Sequence, residues 1–400
     1  MTKDQKIIFV YFLLWQFYEL QGAFDLAGSL LTRLLVAALV AVSFVYCVAV
    51  HLPNKKGEFQ LPFFIVALDL FLLMLSVYGV LYVIEGGQTF FASEDVEEFQ
   101  YLKNLFRVQL PLYVFYYYAR RGSLDETMMR KILVVMLVLA AAKFFLNDFL
   151  VKSTRLLEVE SEITNNEGYT FVALIPALFF FDKKNWVQYL LLFYLLVFVL
   201  FGMKRGAILI ALISTIVFFF LKIKNGTKKE RKNLLFLSAL CVVLLSFVVI
   251  YLWQNSDYFQ LRFMQTMEGS SSGRDYLYAT LWNHFLYETT WNEFLFGLGP
   301  NATITVSKSN FAHSDWLELL TNQGLLGVLF FAVIWIAWGR MCWQNRESER
   351  MFGVLCILFI ICFMKSIFSM FYSSADLSYC CLMGYALGIE RNRGIYIKEI

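Results

Sequence analysis

Charge and histidine are what this 400-residue chain has least of. Asp, Glu, Lys and Arg together make 16% of it, and there are three histidines and five prolines. Ordinary soluble domains carry about a quarter charged residues. So little charge excludes a single large water-soluble domain, because too few polar side chains remain to cover one. The chain also lacks a P-loop, a dinucleotide fingerprint and a zinc-type spacing of Cys and His. The Gly-x-Gly of FGLGPN (296–301) opens no helix in a strand–helix–strand unit, so it reads as a turn. Without a nucleotide-binding fold, any reaction draws its energy from the substrate itself. The seven cysteines (Cys47, Cys241, Cys342, Cys356, Cys362, Cys380, Cys381) fall in or beside apolar runs, with neither a metal pattern nor a disulfide framework. The net charge of +3 is too small to point to nucleic acid.

What the chain has in excess is apolar bulk: 59% hydrophobic residues, 42 of them phenylalanine. Apolar runs of about 18 or more residues recur along it, each long enough to cross a bilayer as a helix. The alternating ten-residue pattern of outer-membrane barrels is missing. The expected fold is all-α, a polytopic membrane helix bundle of about twelve spans. They run roughly over 7–23, 30–50, 61–84, 104–119, 132–150, 168–181, 186–202, 206–222, 234–253, 324–340, 351–371 and 376–390. MTKDQKIIFV leads into an apolar segment with no small-residue cleavage site after it, so it reads as a retained first helix. The expected organisation is one membrane domain over 1–400.

Basic residues report orientation. With the N-terminus inside, the inside loops hold Lys55 and Lys56, then Arg120, Arg121, Arg130 and Lys131, then Lys183 and Lys184. The run KIKNGTKKERKN (222–233), then Arg340, Arg346 and Arg350, then Arg391, Arg393 and Lys398 follow on the same side. The outside loops 85–100 and 157–168 are acidic. Both termini are therefore expected in the cytoplasm. One outside turn violates the rule: GMKRGAIL (202–209) places Lys204 and Arg205 between two spans. The bland reading is an arginine snorkelling to the headgroups. The functional reading is an anion clamp, since guanidinium presents a rigid fork to phosphate oxygens at the positive end of a helix.

The longest loop, 254–323, is expected outside as well, and a loop of that length is usually functional. It carries SSSGRDYLYATLW, in which Leu277, Tyr278, Leu281, Trp282 and Phe285 recur at helical spacing. An amphipathic helix on the outer membrane surface is expected there. Arg274 precedes that helix as a further anion-binding candidate, with Arg262 a weaker one. The loop ends in AHSDWLELLTNQGLLGVL (312–329). Asp315 and Glu318 have capping-box spacing, so a helix is expected to start there. His313 sits just before it, either as an inert interfacial histidine or as a general base or phosphate contact. Arg33, Asp69, Arg107, Lys143 and Lys365 fall within or near apolar spans. Each needs a partner, such as Asp69 with Arg33, or marks an ion pathway.

GMKRGAIL, SGRDYLYATLW with FLFGLGPN, and AHSDWLELLTNQGLLGVL occur in the order that resembles the bacterial O-antigen polymerase and O-antigen ligase family, over the second half of the chain. Ser314 stands where an asparagine is frequent in ligases, which leans toward polymerase. The resemblance implies a membrane-embedded glycosyltransferase of the GT-C-like type in the bacterial inner membrane. It would transfer a glycan from undecaprenyl pyrophosphate to a sugar hydroxyl at the periplasmic face, with neither metal nor nucleotide cofactor. A polymerase would use another lipid-linked repeat unit as acceptor, and a ligase the lipid A core. The resemblance implies His313, Arg205 and Arg274 as catalytic residues. Lys204, Arg262, Asp315, Trp316 and Glu318 are the expected substrate-binding residues, and a chain-length regulator is an expected partner. If His313 binds pyrophosphate, the base would be Glu318 or an acid of the 85–100 or 157–168 loops. A polysaccharide or lipid transporter is the rival, disfavoured because no internal repeat is visible.

Overall fold

The computed structural model describes residues 1–400 except 25, 27, 53–60, 85–99, 156–166, 182–184, 268–272, 309–310, 375 and 397–400. Lys55, Lys56, Lys183, Lys184, Lys398 and nearly all of the two acidic loops thus lie outside the described residues. Among the described residues every regular element is helical, as the uninterrupted apolar runs require.

The first part of the chain forms α1 (Lys3–Glu19), α2 (Leu30–His51), α3 (Phe63–Ile84), α4 (Gln100–Gln109), α5 (Pro111–Arg120) and α6 (Glu126–Arg155). The expected span at 104–119 is thus broken in two. Pro111 has no N–H to donate into the preceding turn, so the helix restarts at that residue. The expected span at 168–181 is also irregular. It is α7 (Gly168–Ala173) followed by a 3-10 stretch, Ile175–Phe181, whose Pro176 again removes a donor. At this length it cannot cross a bilayer as a regular helix.

Next come α8 (Asn185–Phe201), α9 (Arg205–Asn225) and α10 (Lys228–Asn255). Among its described residues the long loop is largely helical. It folds into four short helices, α11 (Asp257–Met267), α12 (Arg274–Tyr287), α13 (Trp291–Phe296) and α14 (Ala302–Ser307). The chain ends with α15 (Asp315–Gln344), α16 (Glu349–Phe368) and α17 (Leu377–Tyr396).

Six stretches among the described residues are long and apolar enough to cross a membrane. They are Leu30–His51, Phe63–Leu81, Arg205–Lys224, Arg231–Asn255, Asp315–Gln344 and Glu349–Phe368. Their outward faces are greasy: Leu31, Leu34, Val45, Leu73, Phe220 and Phe247 are all exposed. Apolar surface on this scale needs a cover other than water, and a bilayer supplies it. The core lies where α17 packs along α5, α15 on α3, and α16 on α9. Rings fill it, with Trp335 and Trp338 stacked at 5.5 Å and Phe171 on Phe198 at 4.5 Å.

Asp69, Lys143 and Lys365 are paired, Asp69 not as expected. Asp69 accepts from His51 Nε2 at 2.8 Å and from Tyr113 at 2.5 Å, instead of meeting Arg33. His51, on the last turn of α2, lies opposite Asp69 on α3, whereas Arg33 sits near the other end of α2. Lys143 pairs with Glu167 at 3.0 Å, and Lys365 with Asp376 at 3.7 Å. Arg107 stacks 5.9 Å from the Tyr18 ring centre.

Candidate functional site

The cation turn 202–204 is built tightly. Met203 takes a positive φ of 53°, Lys204 caps α9 in an extended conformation, and Arg205 is the first helical residue. A non-glycine residue at positive φ is held there only by its surroundings. Here α7 does the holding. Gly206 admits the Tyr169 hydroxyl so closely that a Cβ at 206 would lie 2.4 Å from it. A Cβ on Gly168 would likewise come within 4.0 Å of Lys204 Cβ. The glycines of GMKRGA thus let α7 reach the turn and fix the direction of the two cations.

Arg274 is the first residue of α12, after Gly273 at φ 80°. Its Nη1 donates to the Phe368 carbonyl at 2.6 Å, which ties the loop helix to the end of α16. Arg274 also hydrogen-bonds the Tyr278 hydroxyl, which in turn donates to the His313 carbonyl at 3.4 Å. Of the apolar residues expected along α12, Leu281 and Phe285 are buried, and the helix packs on α14 and α15. Trp282 is exposed, as are Tyr276, Leu286 and Tyr287. The buried face is therefore spent on protein, and the helix is apolar on both sides.

His313 takes φ 52° immediately before the N-cap Ser314. The residue is exposed, open to the space that Arg274 and Lys204 share with it. Partial burial of the ring, with those two cations facing it, holds the imidazole below its ordinary value of 6.5. The neutral form therefore predominates at pH 7. Lys204 and Arg274, both distant from it in sequence, thus lie within electrostatic range of His313. One of the cations that lower the imidazole is Lys204. Arg205 lies beside it, partly buried on the first turn of α9. The side chain of Arg262 lies outside the described residues.

Asp315 and Glu318 do not form the expected capping box, although α15 does begin at Asp315. Ser314 is the N-cap and its side chain makes no capping bond. Both carboxylates are buried and reach across the fold. Asp315 Oδ2 accepts the backbone N–H groups of Phe371 at 2.7 Å and Tyr372 at 3.2 Å. Glu318 accepts from Thr303 Oγ1 at 2.7 Å, from Asn322 Nδ2 at 3.3 Å and from the Ala312 N–H. Trp316 packs against Phe331 and donates Nε1 to Ser366 at 3.1 Å. In this structure the three side chains hold the loops around His313 in place. Spacing alone suggested a local cap. Burial turned the carboxylates toward distant donors, because a buried acceptor takes whatever N–H groups face it.

The α15 helix is kinked at Gly324, φ 64° and ψ −158°. Breaking the helix there frees carbonyls of the preceding turn. Leu298 N–H donates to Thr321 O at 3.0 Å, and Gly299 N–H to Asn322 O at 2.9 Å. FGLGPN is the turn expected, with positive φ at Gly297, Gly299 and Asn301.

Beneath the cation cluster lies a polar network that the sequence did not reveal as one unit. Thr170 Oγ1 bridges Glu167 Oε2 at 3.1 Å and Asp376 Oδ1 at 3.4 Å. Glu167 holds Lys143, while Asp376 faces Lys365, which also donates to Ser374 O at 2.7 Å. Lys365 Nζ stands 5.5 Å from the Tyr169 ring centre, next to the cation turn. The α16–α17 connection is the hub: it takes Arg274 at Phe368, Asp315 at Phe371 and Tyr372, and Lys365 at Ser374. Asp376 carried one sequence signal, a lone acid at the head of the last apolar run, as Asp315 does for an earlier one. Among the described residues no three His, Cys, Asp or Glu side chains converge in a metal-binding arrangement.

Residues 190–332 match the family model described as O-Antigen ligase (Wzy_C). The match begins in α8 and ends in α15, so it takes in Lys204, Arg205, Arg274 and His313. It supports the O-antigen polymerase and ligase family indicated by the three motifs, over about a third of the chain. A comparison with curated proteins finds no match.

Proposed function

Taking residues 190–332 as an O-antigen ligase-type segment, we propose that the protein is a glycosyltransferase that lengthens a lipid-linked surface polysaccharide. The donor is a glycan on undecaprenyl pyrophosphate. The acceptor is a sugar hydroxyl of another lipid-linked repeat unit, in a polymerase reaction at the periplasmic face of the inner membrane. The supporting observation is that Lys204 and Arg274 lie within electrostatic range of His313, within the matched segment, at the head of a membrane helix. In this reading about twelve segments make up a GT-C-like membrane bundle, both termini are cytoplasmic, and 254–323 is the periplasmic loop.

The chemistry follows from the charges. The bond between the anomeric carbon and the pyrophosphate oxygen breaks, and its electron pair leaves with the pyrophosphate. The acceptor oxygen forms the new bond to that carbon as its proton passes to a base. Arg205, Arg274 and Lys204 stabilise the negative charge gathering on the leaving group. An anion held by Arg274 and Lys204 also meets the His313 imidazole, which favours the leaving-group side for His313. The hydroxyl proton then goes to a carboxylate. Glu167 adjoins Gly168, which abuts Lys204, and so stands next to the cation turn. Glu318 holds three buried donors, whereas Glu167 holds Lys143 and Thr170.

The test uses purified protein and a lipid-linked repeat unit, with lipid A core as a competing acceptor. Lengthening of the lipid-linked chain is expected, and it should fall by about 10³-fold in Arg205→Ala and Arg274→Ala at unchanged membrane level. Full extension in either variant refutes the clamp. Transfer to lipid A core alone would make the protein a ligase. For His313, a Gln variant with the wild-type profile across pH 6–9 excludes an acid–base role and leaves the phosphate contact.

A further inference from the structure

A cavity of about 590 Å³ lies apart from the site above, where the ends of α1 and α2 meet α4. Its cationic wall is Arg33 on α2 and Lys103 on α4, both exposed. Its apolar wall is Val36 and Val40, the next turns of α2, running down the bilayer-facing helix. Tyr18 lines it too, and behind Tyr18 stands a third cation, Arg107, 5.9 Å from its ring centre. Two cations over an aliphatic wall at the lip of a membrane span fit one ligand shape: an anionic headgroup on a hydrocarbon chain.

Elements that line the cavity also reach toward the candidate site. Tyr18 lines it, and Glu19, the next residue, lines a small polar pocket with Lys143, Thr170 and Asp376. From the same helix as Lys103, Gln109 Nε2 donates to Tyr372 O at 2.7 Å. Tyr372 is the residue whose N–H Asp315 holds. The helix that carries Lys103 therefore also contacts the α16–α17 connection.

We propose that the Arg33–Lys103 cavity is a second lipid-phosphate site, which holds the acceptor while the Lys204–Arg274 cluster holds the donor. This rests on the transferase reading above. A reaction between two membrane-anchored substrates needs two headgroup sites on one side of the bilayer. In the topology proposed, the start of α2 and the start of α9 share that side. A second prenyl-pyrophosphate-linked glycan and a phosphorylated lipid A core present the same chemistry here.

The test counts lipids by native mass spectrometry on the full chain in phosphatidylcholine nanodiscs titrated with undecaprenyl pyrophosphate. Wild type should bind two. Arg33→Gln/Lys103→Gln, at two exposed positions whose loss leaves the core intact, should bind one. Arg205→Ala/Arg274→Ala should lose the other. The proposal is overturned if the Arg33/Lys103 variant still binds two, or if wild type binds one that only the Arg205/Arg274 variant loses. In the second case the transferase reading stands without it. Loss of lipid in the Arg33/Lys103 variant alone would support the second site and count against the clamp. Displacement by excess lipid A core, but not by excess unlabelled lipid-linked glycan, assigns the site to a ligase acceptor, and the reverse to a polymerase acceptor. Equal displacement by phosphatidylglycerol overturns the proposal, because it shows only general attraction of anionic lipid.

Discussion

Replacing Arg274 by lysine keeps the charge and removes the fork, and that distinction carries a magnitude. Nη1 of Arg274 is committed to the Phe368 carbonyl at 2.6 Å, and the guanidinium also bonds Tyr278. Only a planar group with five donors can hold that position and still face an anion beside His313. A lysine ammonium placed at the Phe368 carbonyl points away from the pyrophosphate, and one turned to the pyrophosphate releases α12 from α16. Losing one preorganised donor to developing charge costs about 10²–10³ in kcat, on the order of 3–4 kcal/mol. Arg274→Lys should therefore fall by about 10² and Arg274→Ala by about 10³. The structural bond lost is worth only about 1 kcal/mol net, so the fold should survive both changes. The assay is elongation of lipid-linked repeat units by purified protein, read as product length against time at saturating substrate. Thermal unfolding of the same preparations checks the fold. A lysine variant retaining more than roughly a third of the wild-type rate would refute the argument that one nitrogen anchors while the others bind, because a 10²-fold loss is expected.

Asp315→Ala leaves two buried N–H groups, of Phe371 and Tyr372, without an acceptor, and should destabilise the protein by about 3–5 kcal/mol, whereas Asp315→Asn should lose about 1–2. Equal melting temperatures for the two variants would contradict the assignment. Gly324→Ala should cost about 3 kcal/mol or more, because φ 64° with ψ −158° is open essentially to glycine alone. Its Cβ would also lie 2.6 Å from Gly297 N. An unchanged melting temperature would mean that the kink is not as described. With three histidines in the chain, His313 can be followed by NMR after isotopic labelling. It should titrate below 6.5 in wild type. In Arg274→Gln it should titrate higher, since removing a facing cation makes the proton easier to hold. A midpoint that stays put would separate the two side chains.

Much of this architecture was legible in the residues alone. Apolar runs marked the helices because a span must bury its backbone polar groups within itself, and only length and hydropathy are needed for that. The misplaced Lys204–Arg205 pair, the SGR stretch and His313 stood out for the same reason: charge near a membrane is rare enough to be conspicuous. The spacing-based readings fared less well. Asp315 and Glu318 had the pattern of a cap, and Asp69 had an arginine one span away. Partner choice, however, depends on which donors burial brings within about 3 Å, and sequence spacing carries no information on that.

The sequence by itself determined that the chain is a helical membrane protein, roughly where its apolar runs lie, and which few cations and histidine to follow. Only the tertiary structure decided that Lys204, Arg274 and His313 share one space, and that the α16–α17 connection ties them to the Glu167–Asp376 network. It also decided that Arg33 lines a separate cavity with Lys103. Hydropathy is a property of each segment and survives in the linear text. Convergence depends on how the segments pack, which here rests on a proline break at 111, a glycine kink at 324 and a glycine contact at 206.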